Sequence, residues 1–149
     1  MIETRRMIML GLLVAMAGAL HAAEGLLPLP APVPGVRLGL ANVVSLVAVC
    51  LYGWRDAVMV AGLRVVLGAL LGGAFLGPSF VLALSGAAAS TLAMAWAHAR
   101  WQPALSLMGI SVLGAVVHNL AQISTAAILI ANAAIFWYLP YLVLFALPT

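Results

Sequence analysis

The chain is a succession of long apolar runs punctuated by prolines, glycines and a few arginines, so breakers rather than charged loops set its element boundaries. The first run covers residues 7–23, 17 residues and just enough to cross a hydrocarbon core of about 30 Å. Pro28, Pro30, Pro32 and Pro34 follow within a stretch from Leu26 to Gly35. Alternating prolines remove amide donors and favour extended backbone, which predicts an ordered but non-helical connection. A second helix is expected over 38–52, ending at Gly53-Trp54-Arg55-Asp56. A third over 57–76 and a fourth over 79–97 flank a Gly77-Pro78 turn, and a fifth over 104–130 follows Arg100-Trp101-Gln102-Pro103. The remainder carries Trp137-Tyr138-Leu139-Pro140 and an apolar tail. A sixth helix over 138–149 would be only about 18 Å long and therefore short or incomplete, unless it starts near Ser124 and kinks at Pro140.

Composition turns these runs into membrane spans. Of 149 residues 66% are hydrophobic and 6% charged, with a mean hydropathy of +1.24, too few polar groups to coat a water-facing surface. The expected class is an all-α integral membrane protein, a bundle of about six transmembrane helices in a single domain. The charges are six arginines and three acids, with no lysine. Arg5, Arg6, Arg55 and Arg100 fall on one side if the N-terminus is cytoplasmic, as the positive-inside rule requires of a multi-pass protein of the inner membrane. This explains the basic balance without nucleic acid as a partner. The lone Cys50 forms no internal disulfide. Ala22-Ala23 after the first apolar run imitates a signal-peptide cleavage site, but cleavage would discard a whole span, so the segment is read as retained.

Few residues carry chemistry. Arg64 lies about 10 Å into the third helix, where a guanidinium must snorkel, pair with Asp56 two turns earlier, or line a polar cavity that binds an anion. On the fifth helix Ser111, His118, Gln122 and Thr125 form one stripe with Gly114, and Asn119 lies beside it. Such a stripe faces either other helices, as hydrogen-bonding glue at about 0.6 kcal/mol per group, or a ligand cavity. Glu24, Arg37, Asn42 and Ser45 surround the first outer loop. They either pair across it, Glu24 with Arg37, or rim a pocket open to the outside. Small residues at four-residue spacing (Ala15 and Ala19, Gly35 and Gly39, Gly68 and Gly72, Gly73 and Gly77) indicate close helix packing. Lacking lysine, the chain has no Walker A loop, and its scattered acids form no paired-carboxylate or Mg²⁺-binding cluster. No second ligand stands at coordinating distance from His118, so no metal site and no catalytic residue are assigned. Binding or transport remains, and an enzyme is not expected.

The run from Pro34 to Val44, preceded by Glu24 and Pro28, resembles the signature of the Gx transporter family, often labelled heptaprenyl diphosphate synthase component I. Arg64-Val65-Val66-Leu67-Gly68, Leu84-Ser85-Gly86, the run from Ser111 to Gln122 and Tyr138-Leu139-Pro140 match in the same order. The resemblance implies a six-helix protein similar to the S components of energy-coupling-factor vitamin transporters, which hold a small molecule near the outer face and need a separate membrane partner and ATPases. It also implies a flavin such as FMN or riboflavin as a candidate ligand, and no cofactor is assigned beyond it. Ala15 and Ala19 are similar to the contact by which S components meet their partner. Members carry a fuller last helix than this chain, and no aspartate-rich site supports a prenyl-synthase activity. Together these expectations place Glu24, Arg37 and Asn42 at the rim of a ligand pocket, with Arg64, His118, Asn119 and Gln122 as its polar floor. The alternative is a non-catalytic structural or partner subunit of a membrane electron-transfer or prenyl diphosphate synthase complex.

Overall fold

The computed structural model describes residues 2–26, 41–73 and 75–140. Arg37, the start of the second helix at Leu38, most of the proline-rich connection and residues 141–149 of the expected sixth helix lie outside the described residues. The described chain forms α1 (Ile2–Leu26), α2 (Asn42–Tyr52), α3 (Trp54–Leu71), α4 (Pro78–Trp101), α5 (Leu107–Ile130) and a 3-10 helix (Ala133–Tyr138). Among the described residues there is no strand and there are five α-helices; the expected sixth, over 138–149, falls mostly outside them.

Local chemistry explains where these helices begin and end. α1 takes in the charged residues ahead of Met7: Glu3 sits in its first turn, where the helix dipole favours an acid, and Arg6 is held by Asp56 at 2.6 Å. Gly53, at φ 87°, separates α2 from α3 in a single residue, so α3 starts at Trp54 instead of Ala57. α3 stops at Leu71, short of Leu76, because Gly72 and Gly73 turn the chain and Gly73 takes φ 65°. Pro78 opens α4 at a position that needs no amide donor. Ser106 caps α5, its Oγ accepting from the Gly109 amide at 3.2 Å, which moves the start to Leu107 from the expected Ala104. α5 ends where Ala131 adopts φ 52°, and Asn132 Oδ1 then accepts from the Ala134 amide at 2.9 Å.

α1, α4 and α5 are long and apolar enough to cross a membrane. α3 has 18 residues, about 27 Å of helix, but carries Arg55, Asp56 and Arg64. α2, with 11 residues, reaches only about 17 Å. Contacts fix the directions: Asn42 meets Ser90 and Cys50 meets His98, both 48 residues apart, so α2 and α4 run parallel. Arg6 with Asp56, and His21 over Gly68, make α1 parallel to α3. His118 against Gly86 and Thr125 bonded to Ser85 make α5 antiparallel to α4. α4 is central, packing on α2, α3 and α5, while α1 packs on α2 and α3 and does not reach α5 among the described residues. One apolar patch joins Leu10 and Val14 of α1 to Val49 of α2 and Val60 of α3. Another packs Leu46 against Met94 and Ile110, and a third joins Ala61 and Val65 to Ala83 and Ala87. Leu12, Met16, Leu63, Leu92 and Trp96 point outward, an apolar exterior that suits lipid. The helix directions collect Arg5, Arg6, Arg55 and Arg100 at one end.

Candidate functional site

Between α2, α3 and α4 the structure buries a polar cluster. Arg64 is 1% exposed, and its Nη2 donates to Asn42 Oδ1 at 2.7 Å. Ser90 Oγ donates to the same oxygen at 3.2 Å and reaches Ala87 O at 3.2 Å, so Asn42 ties three helices together. Asn42 is the first residue of α2. Ser45 lies one turn along on the buried face, and Thr91 adjoins Ser90 on α4; neither is measurably exposed. Asn42 Nδ2, Ser45 Oγ and Thr91 Oγ1 are buried with no hydrogen-bond partner among the described residues. Unmet polar atoms cost about 1–3 kcal/mol each, so three in one cluster call for an explanation. The expected alternative pairing of Arg64 with Asp56 does not occur: Asp56 accepts instead from Arg6 Nε at 3.0 Å and Nη2 at 2.6 Å, one turn or more nearer the helix ends.

The polar face of α5 turns toward α4. His118 and Gln122 are buried, and both lie against Gly86: a Cβ added there would meet His118 Cε1 at 2.8 Å, His118 Nδ1 at 2.9 Å and Gln122 Cγ at 3.0 Å. Glycine is required because the imidazole occupies the space a side chain would fill. Asn119 is buried on the same helix, and Thr125 Oγ1 donates to Ser85 Oγ at 2.9 Å. Gly86 and Ser90 stand one turn apart on α4, so that helix connects the imidazole layer to the Arg64 cluster.

Glu24, 2% exposed, is on α1 with the equally enclosed His21 one turn before it, and the His21 ring overlies Gly68 of α3. Of the seven expected pocket residues, the structure joins Arg64 directly to Asn42 and sets His118 beside Gln122. Glu24 is buried on α1, and Arg37 lies outside the described residues. Sequence reasoning passed over His21, Ser90 and Thr91. His21 had a signal, an imidazole three residues from Glu24 within a spanning run. Ser90 and Thr91 had almost none, since adjacent hydroxyls in an alanine-rich helix read as small packing residues. Among the described residues no three His, Cys, Asp or Glu side chains gather as a metal site would need. A groove of about 420 Å³ lies at the far end of α5, lined by Ser124, Ala127, Ile128, Ala131, Asn132 and Phe136, apart from all of these residues.

A helical bundle with a lipid-suited exterior and a buried guanidinium, amide and hydroxyl core defines a membrane-embedded protein with an interior polar centre. Within that class the chain belongs to the family described as heptaprenyl diphosphate synthase component I, which it matches over residues 13–149. No curated protein and no solved structure matches it.

Proposed function

We propose that the protein is a membrane-embedded subunit that binds a small molecule for transport, with no catalytic step of its own, and that a flavin such as FMN or riboflavin is its ligand. The observation that carries this reading is the Arg64 cluster. Beside the buried Arg64, the Asn42 Nδ2, Ser45 Oγ and Thr91 Oγ1 atoms, without hydrogen-bond partners among the described residues, are expensive in lipid unless a polar guest completes them. Arg64, His118, Asn119 and Gln122 form the floor of the pocket, while Glu24, Asn42 and Arg37 form its rim. The arginine-rich end faces the cytoplasm in this reading, and a separate membrane protein supplies energy. The flavin follows from the family resemblance, with which guanidinium and amide donors are compatible.

Protein purified in detergent should carry or take up flavin, visible in its absorption spectrum. Arg64→Ala or His118→Ala should weaken that binding and leave a folded protein. A colourless preparation indifferent to added FMN and riboflavin would favour a second reading, a non-catalytic partner subunit of a prenyl diphosphate synthase or electron-transfer assembly. The family description and the interhelical bonds of Ser90 to Asn42 and Thr125 to Ser85 support that alternative, in which polar groups serve as glue.

A further inference from the structure

The contacts at the arginine-rich end fix how close in level its guanidinium groups are. Arg6 is bonded to Asp56, which brings Arg5 and the start of α1 beside Trp54 and Arg55 at the start of α3. Cys50 lies against His98, so the last turn of α2 reaches the level of Arg100 on α4. Gly53 alone joins α2 to α3. Arg5, Arg55 and Arg100 therefore lie within about one turn of a common level along the bundle axis, and all three are exposed. That level is where the apolar spans of α1, beginning at Glu3, and α4, closing at Trp101, reach their ends, so it coincides with lipid headgroups.

The acids at this end are Glu3 and Asp56, and Asp56 is taken by Arg6. Among the described residues neither Arg55 nor Arg100 has a carboxylate partner. Each has an indole beside it instead. Arg55 Cζ lies 5.4 Å from the centre of the Trp54 ring, and Arg100 directly precedes Trp101, whose ring stands edge-on to Trp96 at 4.7 Å. Trp54, Trp96 and Trp101, three of the four tryptophans in the chain, are all exposed at this end. Indoles settle at the boundary between headgroups and acyl chains, which sets the neighbouring guanidinium at phosphate level. The chain also uses arginine to the exclusion of lysine. A guanidinium offers two parallel N–H groups that match a phosphodiester, whereas an ammonium acts as a point charge.

We propose that Arg55 with Trp54, and Arg100 with Trp101, form seats for the headgroup of an anionic phospholipid. The phosphodiester accepts from the guanidinium, and the indole packs on the glycerol and the upper acyl chain. A lipid with a net negative headgroup leaves each guanidinium balanced, whereas the zwitterionic headgroup of phosphatidylcholine carries its own cation into the site. Arg6 takes no part, because Asp56 already answers its charge. The inference concerns the rim of the bundle and is independent of any small molecule held in its interior.

The test uses the full chain in phosphatidylcholine nanodiscs and reads quenching of tryptophan fluorescence by dibrominated lipid. Trp137, outside the arginine-rich end, is first replaced by phenylalanine so that the signal comes from Trp54, Trp96 and Trp101. Dibrominated phosphatidylglycerol should reach half-quenching at roughly a fivefold lower mole fraction than dibrominated phosphatidylcholine. The double variant Arg55→Gln with Arg100→Gln should lose that preference and, in pure phosphatidylcholine, melt with the parent, because both side chains are exposed. Arg55→Lys with Arg100→Lys keeps the charge and should lose at least half of the preference. Equal quenching by the two lipids, or a preference that survives in the glutamine variant, overturns the proposal. A lysine variant that matches the parent also overturns it, since diffuse attraction to a negative surface would then account for the preference without a guanidinium seat.

Discussion

Replacing Gly86 with alanine probes the contact between α4 and α5 on which the imidazole layer depends. The added Cβ would stand 2.8 Å from His118 Cε1, 2.9 Å from its Nδ1 and 3.0 Å from Gln122 Cγ, where ordinary contact begins at 3.4 Å. The helices must therefore separate by about 0.6 Å, or a buried ring must tilt within a packed interior. Overpacking of this kind costs about 1–3 kcal/mol, and the gain in helix propensity from glycine to alanine returns about 0.5–1 kcal/mol. A net loss of roughly 0.5–2 kcal/mol is expected. Gly62→Ala supplies the control, since a Cβ at Gly62 meets nothing within 4 Å and should be neutral or mildly stabilising. Unfolding in mixed micelles of increasing SDS fraction, followed by tryptophan fluorescence, measures both variants. Adding His118→Ala to Gly86→Ala should recover much of the loss, giving a coupling of about 1 kcal/mol in a double-mutant cycle. The reasoning fails if Gly86→Ala unfolds together with Gly62→Ala, or if its cost is unchanged when His118 is absent.

The arginine-rich end yields two more expectations. Asp56→Asn removes the charged partner of the solvent-facing Arg6 but leaves a neutral side chain of the same shape in a largely enclosed position; stability should fall modestly in the same SDS assay, and fall less at high salt. A loss independent of salt would mean that the pair acts through packing and not through charge. Cys50 is the single cysteine in the chain and is exposed two residues before the end of α2. With that end facing the cytoplasm, an impermeant maleimide should label Cys50 in inverted vesicles and not in intact cells, and the opposite pattern would reverse the orientation.

The sequence by itself determined that this chain lives in lipid, that it is helical and where most helices break. Those conclusions follow from local facts: an interior solvent without water obliges each backbone to satisfy its own hydrogen bonds, and proline and glycine interrupt that pattern wherever they occur. It also exposed Arg64, Asn42, His118 and Gln122 as polar groups in costly places, because one ionic or amide side chain in an apolar run stands out alone. Which of them meet was decided only by tertiary structure. Arg64 had Asp56 two turns away on its own helix, yet Asp56 turned to Arg6 of α1, and Arg64 to an amide 22 residues away. That choice depends on α3 packing between α1 and α2, a long-range arrangement with no imprint on local periodicity. Ser90 and Thr91 gained importance in the same way. Their hydroxyls are unremarkable along α4 and acquire meaning because α2 and α3 approach that face. Gly86, likewise, reads as a small residue among alanines until the ring of His118 comes to lie on it.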